Sequence, residues 1–287
     1  MADATKQLRS LLILGRVSNL PTVWSNCFAG WWLAGAGSWN GLALLCLGAT
    51  CLYLGGMYLN DAFDAQFDQQ HRPERPIPSG AISAAAVWRW GFAWIGIGLA
   101  CVVPFGKISI LCAIFLVLSI LIYDAIHKIF AFSPVLMASC RFFLILLAAS
   151  TGSFGIIGYT LWTAIVLAAY IIGLSYIARK ESTFAALKHW PCLFLAAPLV
   201  FSWIVNQGAN QLRATVLAIA VALWMLRCLR FALWTPQRNI GRCVSGLLAA
   251  IPLVDLLAAW DGSTTNLITF VALFALALIF QRFVPAT

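Results

Sequence analysis

The chain has 287 residues, of which 62% are hydrophobic and only 9% charged, where soluble domains carry about a quarter charged residues. No charge falls between Arg16 and Asp61, between Arg141 and Arg179, or between His189 and Arg213, and each gap exceeds the roughly 20 apolar residues that cross a bilayer. A water-soluble or disordered chain is thereby excluded, and the net charge of +9 reads as membrane topology rather than as a nucleic-acid surface.

In chain order, the hydropathy predicts an all-α polytopic membrane protein with spans at 17–37, 41–60, 82–104, 108–126, 134–152, 158–178, 190–207, 212–232, 241–259 and 264–283. The first span follows Lys6, Arg9 and Arg16. Its length and the lack of a small-residue cleavage site argue against a signal peptide, and the stretch is too short and too poor in Arg and Ser for a transit peptide. Turns rich in Gly, Asn and Ser ("GAGSWNG", "STGSFGIIG", "NQGANQ", "WDGSTTN") alternate with basic loops. One set of span ends carries most of the Lys and Arg, from Lys6 to Arg282. The other holds little beyond Lys107 and Arg213. The positive-inside rule then puts the N-terminus, the segment 60–80 and the loops 127–133 and 179–189 on the cytosolic side, most simply of a bacterial inner membrane. No linker or repeat divides the chain, so residues 1–287 read as one domain. The nine cysteines form no C-x-x-C pair, and most lie inside apolar runs as small buried hydrophobes.

The second span ends in "NDAFDAQFDQQHRPERPIPSG". Asp and Glu total nine in the protein, and three of them fall within eight positions at Asp61, Asp64 and Asp68. With Asn60 they follow helical spacing and share a face. Adjacent carboxylates at a membrane helix end repel one another unless a cation joins them. Oxygen ligands of this kind suit magnesium, which shares its coordination shell with substrate phosphates. Arg72 and Arg75 follow at once, and the guanidinium fork grips phosphate. Together they describe a site for a magnesium diphosphate, weighed against a solvated helix end with no specific task.

"NDAFDAQFD" resembles the N-D-x-x-D-x-x-x-D motif of the UbiA superfamily of intramembrane prenyltransferases, and "HRPERPIPSGAIS" resembles the loop after it. "HKIFAFSP" is similar to the family's basic loop after the fourth span. The resemblance implies about nine transmembrane helices around a central cavity, one fewer than the ten spans read from hydropathy. It also implies a prenyl diphosphate donor bound through Mg2+, and transfer of the isoprenyl group to a lipophilic, commonly aromatic, acceptor. Asn60, Asp61, Asp64 and Asp68 would then hold the metal, and Arg72, Arg75 and Lys128 the diphosphate.

The family's second aspartate motif is altered. At the end of the sixth span stands "GLSYIARKES", where Arg179 and Lys180 supply positive charge in place of carboxylates. They would stabilise the leaving diphosphate directly, unless they serve only as topological anchors, and Glu181 remains a candidate ligand. Asp124, in "IYDAIHK", either pairs with His127 or Lys128 or takes a proton from the acceptor. Arg141 is an intramembrane charge, hence a site candidate unless it snorkels to the interface. Tyr58, Tyr123 and Tyr176 are placed near the same rim, where aromatic faces stabilise a carbocation. The altered motif keeps open a second reading, a membrane terpene synthase of the same superfamily that cyclises its prenyl diphosphate with no acceptor. A transporter would instead show internal repeats and mid-bilayer charges.

Overall fold

The computed structural model describes residues 2–179, 189–235 and 237–286. In these residues thirteen α-helices follow one another: α1 Ala2–Leu14, α2 Leu20–Leu33, α3 Trp39–His71, α4 Ala84–Val102, α5 Lys107–Ile126, α6 Ser133–Ala149, α7 Gly158–Ala178, α8 Pro191–Leu195, α9 Ala197–Val205, α10 Gln211–Leu233, α11 Ile240–Ala249, α12 Ile251–Ala259 and α13 Thr264–Phe280. Among the described residues there is no strand. Within the described residues, six segments are long and apolar enough to cross a membrane: α3, α4 with its 3-10 extension to Phe105, α5, α7, α10, and α11 with α12. Three further apolar segments are shorter, at Ser133–Ala149, Pro191–Val205 and Thr264–Phe280.

The expected spans correspond to helices, with instructive differences. The expected spans 190–207 and 241–259 are each broken in two. The breaks fall just before Pro198 and Pro252 in the first turns of α9 and α12. A proline removes a backbone donor and clashes with the preceding turn, so each begins a new helix. The span expected to stop at residue 60 instead continues as one helix to His71. It begins at Ser38, whose hydroxyl accepts from the Gly41 amide at 3.0 Å, and stops before Arg72–Pro73, where proline disfavours helix in the residue ahead of it.

Helix α2 is the hub, packed against α3, α6, α12 and α13, with nearly every residue from Leu20 to Trp31 buried. Without a hydrophobic drive between helices in lipid, close approach of small residues holds such a bundle. On α3, a Cβ added to Gly55 would stand 2.9 Å from the Gly91 carbonyl of α4, so the two backbones touch there. At Gly30 of α2 a Cβ would stand 2.6 Å from the Ile145 carbonyl of α6. The first contact fixes α4 against α3 and the second fixes α6 against the hub α2, and with them the polar side chains described next.

Candidate active site

Because α3 runs unbroken through the acidic segment, Asn60, Asp61, Asp64 and Asp68 do share one face. All four are buried, at 2–8% exposure, which rules out a plain solvated helix end. Their neighbours are basic. Arg75, brought back by the turn after α3, donates to Asp68 Oδ2 at 2.8 Å and to Asp61 Oδ1 at 3.3 Å. Lys128, just past α5, reaches Asp64 Oδ1 at 2.7 Å and lies over the Phe67 ring. His127 Nε2 is 3.5 Å from the same oxygen. Arg72 caps α3 through its backbone, and its side chain has no polar partner among the described residues.

One member was missed from sequence. Arg16, assigned only to topology, places its guanidinium 3.1 Å from Asp61 Oδ1 and 3.2 Å from Asn60 Oδ1. Its backbone is left-handed, with φ 40° and ψ 48°, a conformation that L residues other than Asn and Asp seldom adopt. Burial alone would lower the Arg16 guanidinium, but Asp61 beside it, with Tyr53, Tyr123 and Asp64 contributing, carries it above its ordinary value. The only signal in the sequence was the position of Arg16 immediately before an apolar span.

Asp124 departs from one of its two expected roles. Its carboxylate is not paired with His127 or Lys128. Oδ1 accepts from Asn60 Nδ2 at 3.0 Å, while Oδ2 is buried with no partner among the described residues. The chain leaves α5 after Ile126, which turns His127 and Lys128 toward Asp64. Arg141 does not snorkel. Nη1 donates to Asn26 Oδ1 at 2.7 Å and Nη2 to Thr22 Oγ1 at 2.9 Å, both on α2.

Beneath the carboxylates lies a cavity of about 90 Å³ walled by α2, α3, α5 and α6. Tyr53, Tyr123, Asp124 and Arg141 are the polar members of an otherwise apolar wall. Of the three expected tyrosines only Tyr123 lines it. Tyr58 turns away to donate to the Leu11 carbonyl at 3.3 Å, and Tyr176 packs edge-on against Trp190. Arg179 donates to the Phe130 and Ala131 carbonyls at 2.9 and 2.8 Å and to Ser133 Oγ at 3.1 Å. It thus braces the turn that carries Lys128. Lys180 and Glu181 lie outside the described residues.

Among the described residues, no three ligating side chains are gathered closely enough to hold a metal unaided. The donor chemistry still fits magnesium. Each aspartate gives one oxygen to a basic neighbour, and Asp61 Oδ2, Asp64 Oδ2 and Asp68 Oδ1 accept no hydrogen bond among the described residues. Magnesium takes one or two carboxylates and completes its shell with phosphate and water.

The sequence profile of the UbiA prenyltransferase family matches residues 20–231. The chain belongs to the UbiA prenyltransferase family. Its similarity to digeranylgeranylglyceryl phosphate synthases is local. It is 36% identical over 98 residues to that of Methanopyrus kandleri, covering 33% of this chain and 36% of the relative. It is 43% identical over 60 residues to that of Methanoregula boonei, covering 21% and 22%. The chain thus matches only about a third, or less, of the length of these curated relatives. The fold of this UbiA family member is similar to a solved digeranylgeranylglyceryl phosphate synthase, with a TM-score of 0.62, 14% identity, and coverage of 94% and 99%. It is also similar to a UbiA homolog from Archaeoglobus fulgidus bound to DMAPP and Mg2+, with a TM-score of 0.55, 16% identity, and coverage of 96% and 99%.

Proposed function

We propose that this chain is an intramembrane prenyltransferase that ionises a prenyl diphosphate at the Asn60–Asp68 rim. It then passes the isoprenyl group to a lipophilic acceptor in the cavity below. The observation that carries this reading is the stacking of a rim of three buried aspartates interleaved with Arg16, Arg75 and Lys128 directly above an apolar cavity. Magnesium, when bound, supplies positive charge against the diphosphate and eases its departure.

The chain's own groups do the rest. Arg16, Arg75 and Lys128, which already pair with the rim aspartates, turn to the phosphate oxygens, and Arg72 from the adjoining turn joins them. The allylic C–O bond breaks with its electron pair leaving on the diphosphate. The apolar wall sheds water and protects the cation from quenching, and the faces of Tyr53 and Tyr123 stabilise it. The acceptor forms the new bond to the allylic carbon, and its proton passes to the free Oδ2 of Asp124. The excess of Lys and Arg at one set of helix ends supports a cytosolic rim and N-terminus in a cellular membrane. The relatives' name describes a glyceryl phosphate bearing two geranylgeranyl groups, which supports a prenylated glyceryl phosphate as one acceptor class beside the aromatic one.

The decisive experiment incubates purified protein with prenyl diphosphates of several lengths, with Mg2+ or with chelator, and follows pyrophosphate and lipid products by mass spectrometry. Asp64→Ala combined with Asp68→Ala is expected to abolish magnesium-dependent pyrophosphate release, and survival of that release in the double variant sinks the site assignment. A cyclic hydrocarbon or terpene alcohol formed from the donor alone would replace the transferase reading with that of a terpene synthase. The family match and the prenyltransferase relatives favour transfer.

A further inference from the structure

The rim accounts for Arg16, Arg72, Arg75 and Lys128, but a second group of arginines has no task in the reaction. Arg227 and Arg230 lie on α10, Arg242 on α11, and Arg238 and Arg282 just before α11 and just after α13. The three helices meet here. Trp224 of α10 donates its indole N–H to the Gly246 carbonyl of α11 at 3.0 Å and packs edge-on against Phe274 of α13. Gln281, next to Arg282, donates to the Ser245 carbonyl of α11 at 3.0 Å. The group lies at the same end of the bundle as the rim, because Ser18, just past Arg16, donates to the Pro285 carbonyl beyond α13 at 3.3 Å. It shares no helix with the rim, whose side chains come from α3, α5 and the turns beside them.

Positive charge at helix ends is ordinarily topological, and a lone arginine within a span snorkels to water. Two observations set this group apart. The first is the direction of the side chains. Arg227 is sixteen residues past the start of α10 at Gln211, hence roughly 24 Å along the helix, beside the lipid-facing Leu223 and Leu226, 62% and 50% exposed. Its guanidinium turns back along α10, away from the rim's end, and lies 4.9 Å from the ring centroid of Trp224. The Arg242 guanidinium lies 4.1 Å from the ring centroid of Phe231 on α10. A guanidinium stacked by its face keeps its N–H edge for an anion.

The second is the lack of a counter-charge. The side chains of Arg227, Arg230, Arg238, Arg242 and Arg282 make no hydrogen bond or ion pair among the described residues. Asp61, Asp64 and Asp68 are engaged at the rim. Asp255 is bonded by Ser25 and Asn26 of α2, and Asp261 accepts from the Ser263 amide before α13. Gathered arginines repel one another, and one placed within a span is costly without a partner. At the depth of Leu223 and Leu226 the available anion is one that arrives on acyl chains, and basic seams between membrane helices suit lipid headgroups of this kind.

We propose that the seam of α10, α11 and α13 binds an anionic phospholipid of the adjoining leaflet. Its phosphate is held by the N–H edges of Arg227 and Arg242 with Arg282 beside them, and its acyl chains run along Leu223 and Leu226. The site is separate from the one that handles the prenyl diphosphate, and its test needs no turnover.

Full-length protein purified in neutral detergent is mixed with equal mole fractions of dioleoylphosphatidylglycerol and dioleoylphosphatidylcholine, and the retained lipid is counted by native mass spectrometry. Wild type is expected to retain the anionic lipid about tenfold over the zwitterionic one, and Arg227→Gln with Arg242→Gln should bring that ratio to about one. A charge-matched control, Arg9→Gln with Arg89→Gln, both exposed on α1 and α4, should leave the ratio at its wild-type value. Arg282→Gln, outside every helix, repeats the test where helix packing is not touched and should lower the ratio about threefold. Equal retention of the two lipids by wild type overturns the proposal. So does a loss in the control as large as in the site variant, which would trace the preference to net charge alone. A thermal midpoint raised by inorganic phosphate as much as by the anionic lipid would also overturn it, in favour of a free phosphate.

Discussion

Arg16 offers the sharpest test of the rim, because two opposing terms meet in one residue. Its left-handed backbone costs an L residue about 1–2 kcal/mol, a cost that glycine escapes. Its guanidinium touches Asp61 and Asn60, and a hydrogen bond to a charged group is worth about 1.5–3 kcal/mol. Arg16→Ala keeps the strain and loses the contact, whereas Arg16→Gly loses both. The two variants should therefore differ in stability by about 1–2 kcal/mol in favour of glycine, roughly 2–3 °C in thermal midpoint for a chain of this size. Activity should not follow stability. Both variants lose the same cation beside the diphosphate, so magnesium-dependent pyrophosphate release should fall about 10- to 100-fold in each. The assay pairs thermal unfolding in detergent with a coupled pyrophosphate measurement at saturating Mg2+. Equal midpoints for Ala and Gly would refute the left-handed backbone. A Gly variant of normal activity would remove Arg16 from the rim.

Gly55→Val inserts a side chain where α3 and α4 touch, and should destabilise the fold by about 1–3 kcal/mol, visible as a lower thermal midpoint and poorer yield, while Gly96→Ala, which faces open space, should cost little. Arg179→Ala frees the turn that carries Lys128, so KM for the prenyl diphosphate should rise several-fold. Combined with Lys128→Ala the loss should be no larger than for Lys128→Ala alone, the non-additivity of residues acting through one contact. Asp124→Asn preserves an acceptor for Asn60 but removes the proton acceptor. Product formation should drop about 100-fold or more while hydrolysis of the donor continues, and a parallel fall in both would mean that Asp124 acts on ionisation instead.

The sequence displayed the part of this site that is local. Asn60, Asp61, Asp64 and Asp68 repeat at helical intervals, and their placement on one face of α3 follows from the helix alone. Arg72, Arg75 and Lys128 adjoin conspicuous motifs and could be read with them. What escaped was non-local. Arg16 is 45 residues from Asp61, and in a membrane chain a basic residue before a span already has a sufficient topological explanation. Asp124 had basic neighbours three and four residues on, but the helix ends between them, so spacing gave the wrong partner. Arg141 meets Thr22 and Asn26 only because Gly30 lets α2 and α6 approach closely, and Asp255 joins them from the far end of the chain. Tyr176 was placed at the rim by its position along α7, whereas its direction around the helix, toward Trp190, depends on where the segment after it packs.

Helix α3 has 33 residues, about 50 Å at 1.5 Å per residue, against a hydrocarbon layer of about 30 Å. One rigid rod therefore carries the glycines that clasp α4 at one depth and the carboxylates at another, with no joint between. A lipid diphosphate has the same division along its own length, a multiply charged head and a tail with no charge. On the proposed function, the protein's polarity gradient is laid parallel to that of such a lipid, and the scissile bond would fall where the two media meet. Selection of tail length is then a matter of how far the cavity descends, and can change by substitution along α3 and α5 without disturbing a single group that handles the head.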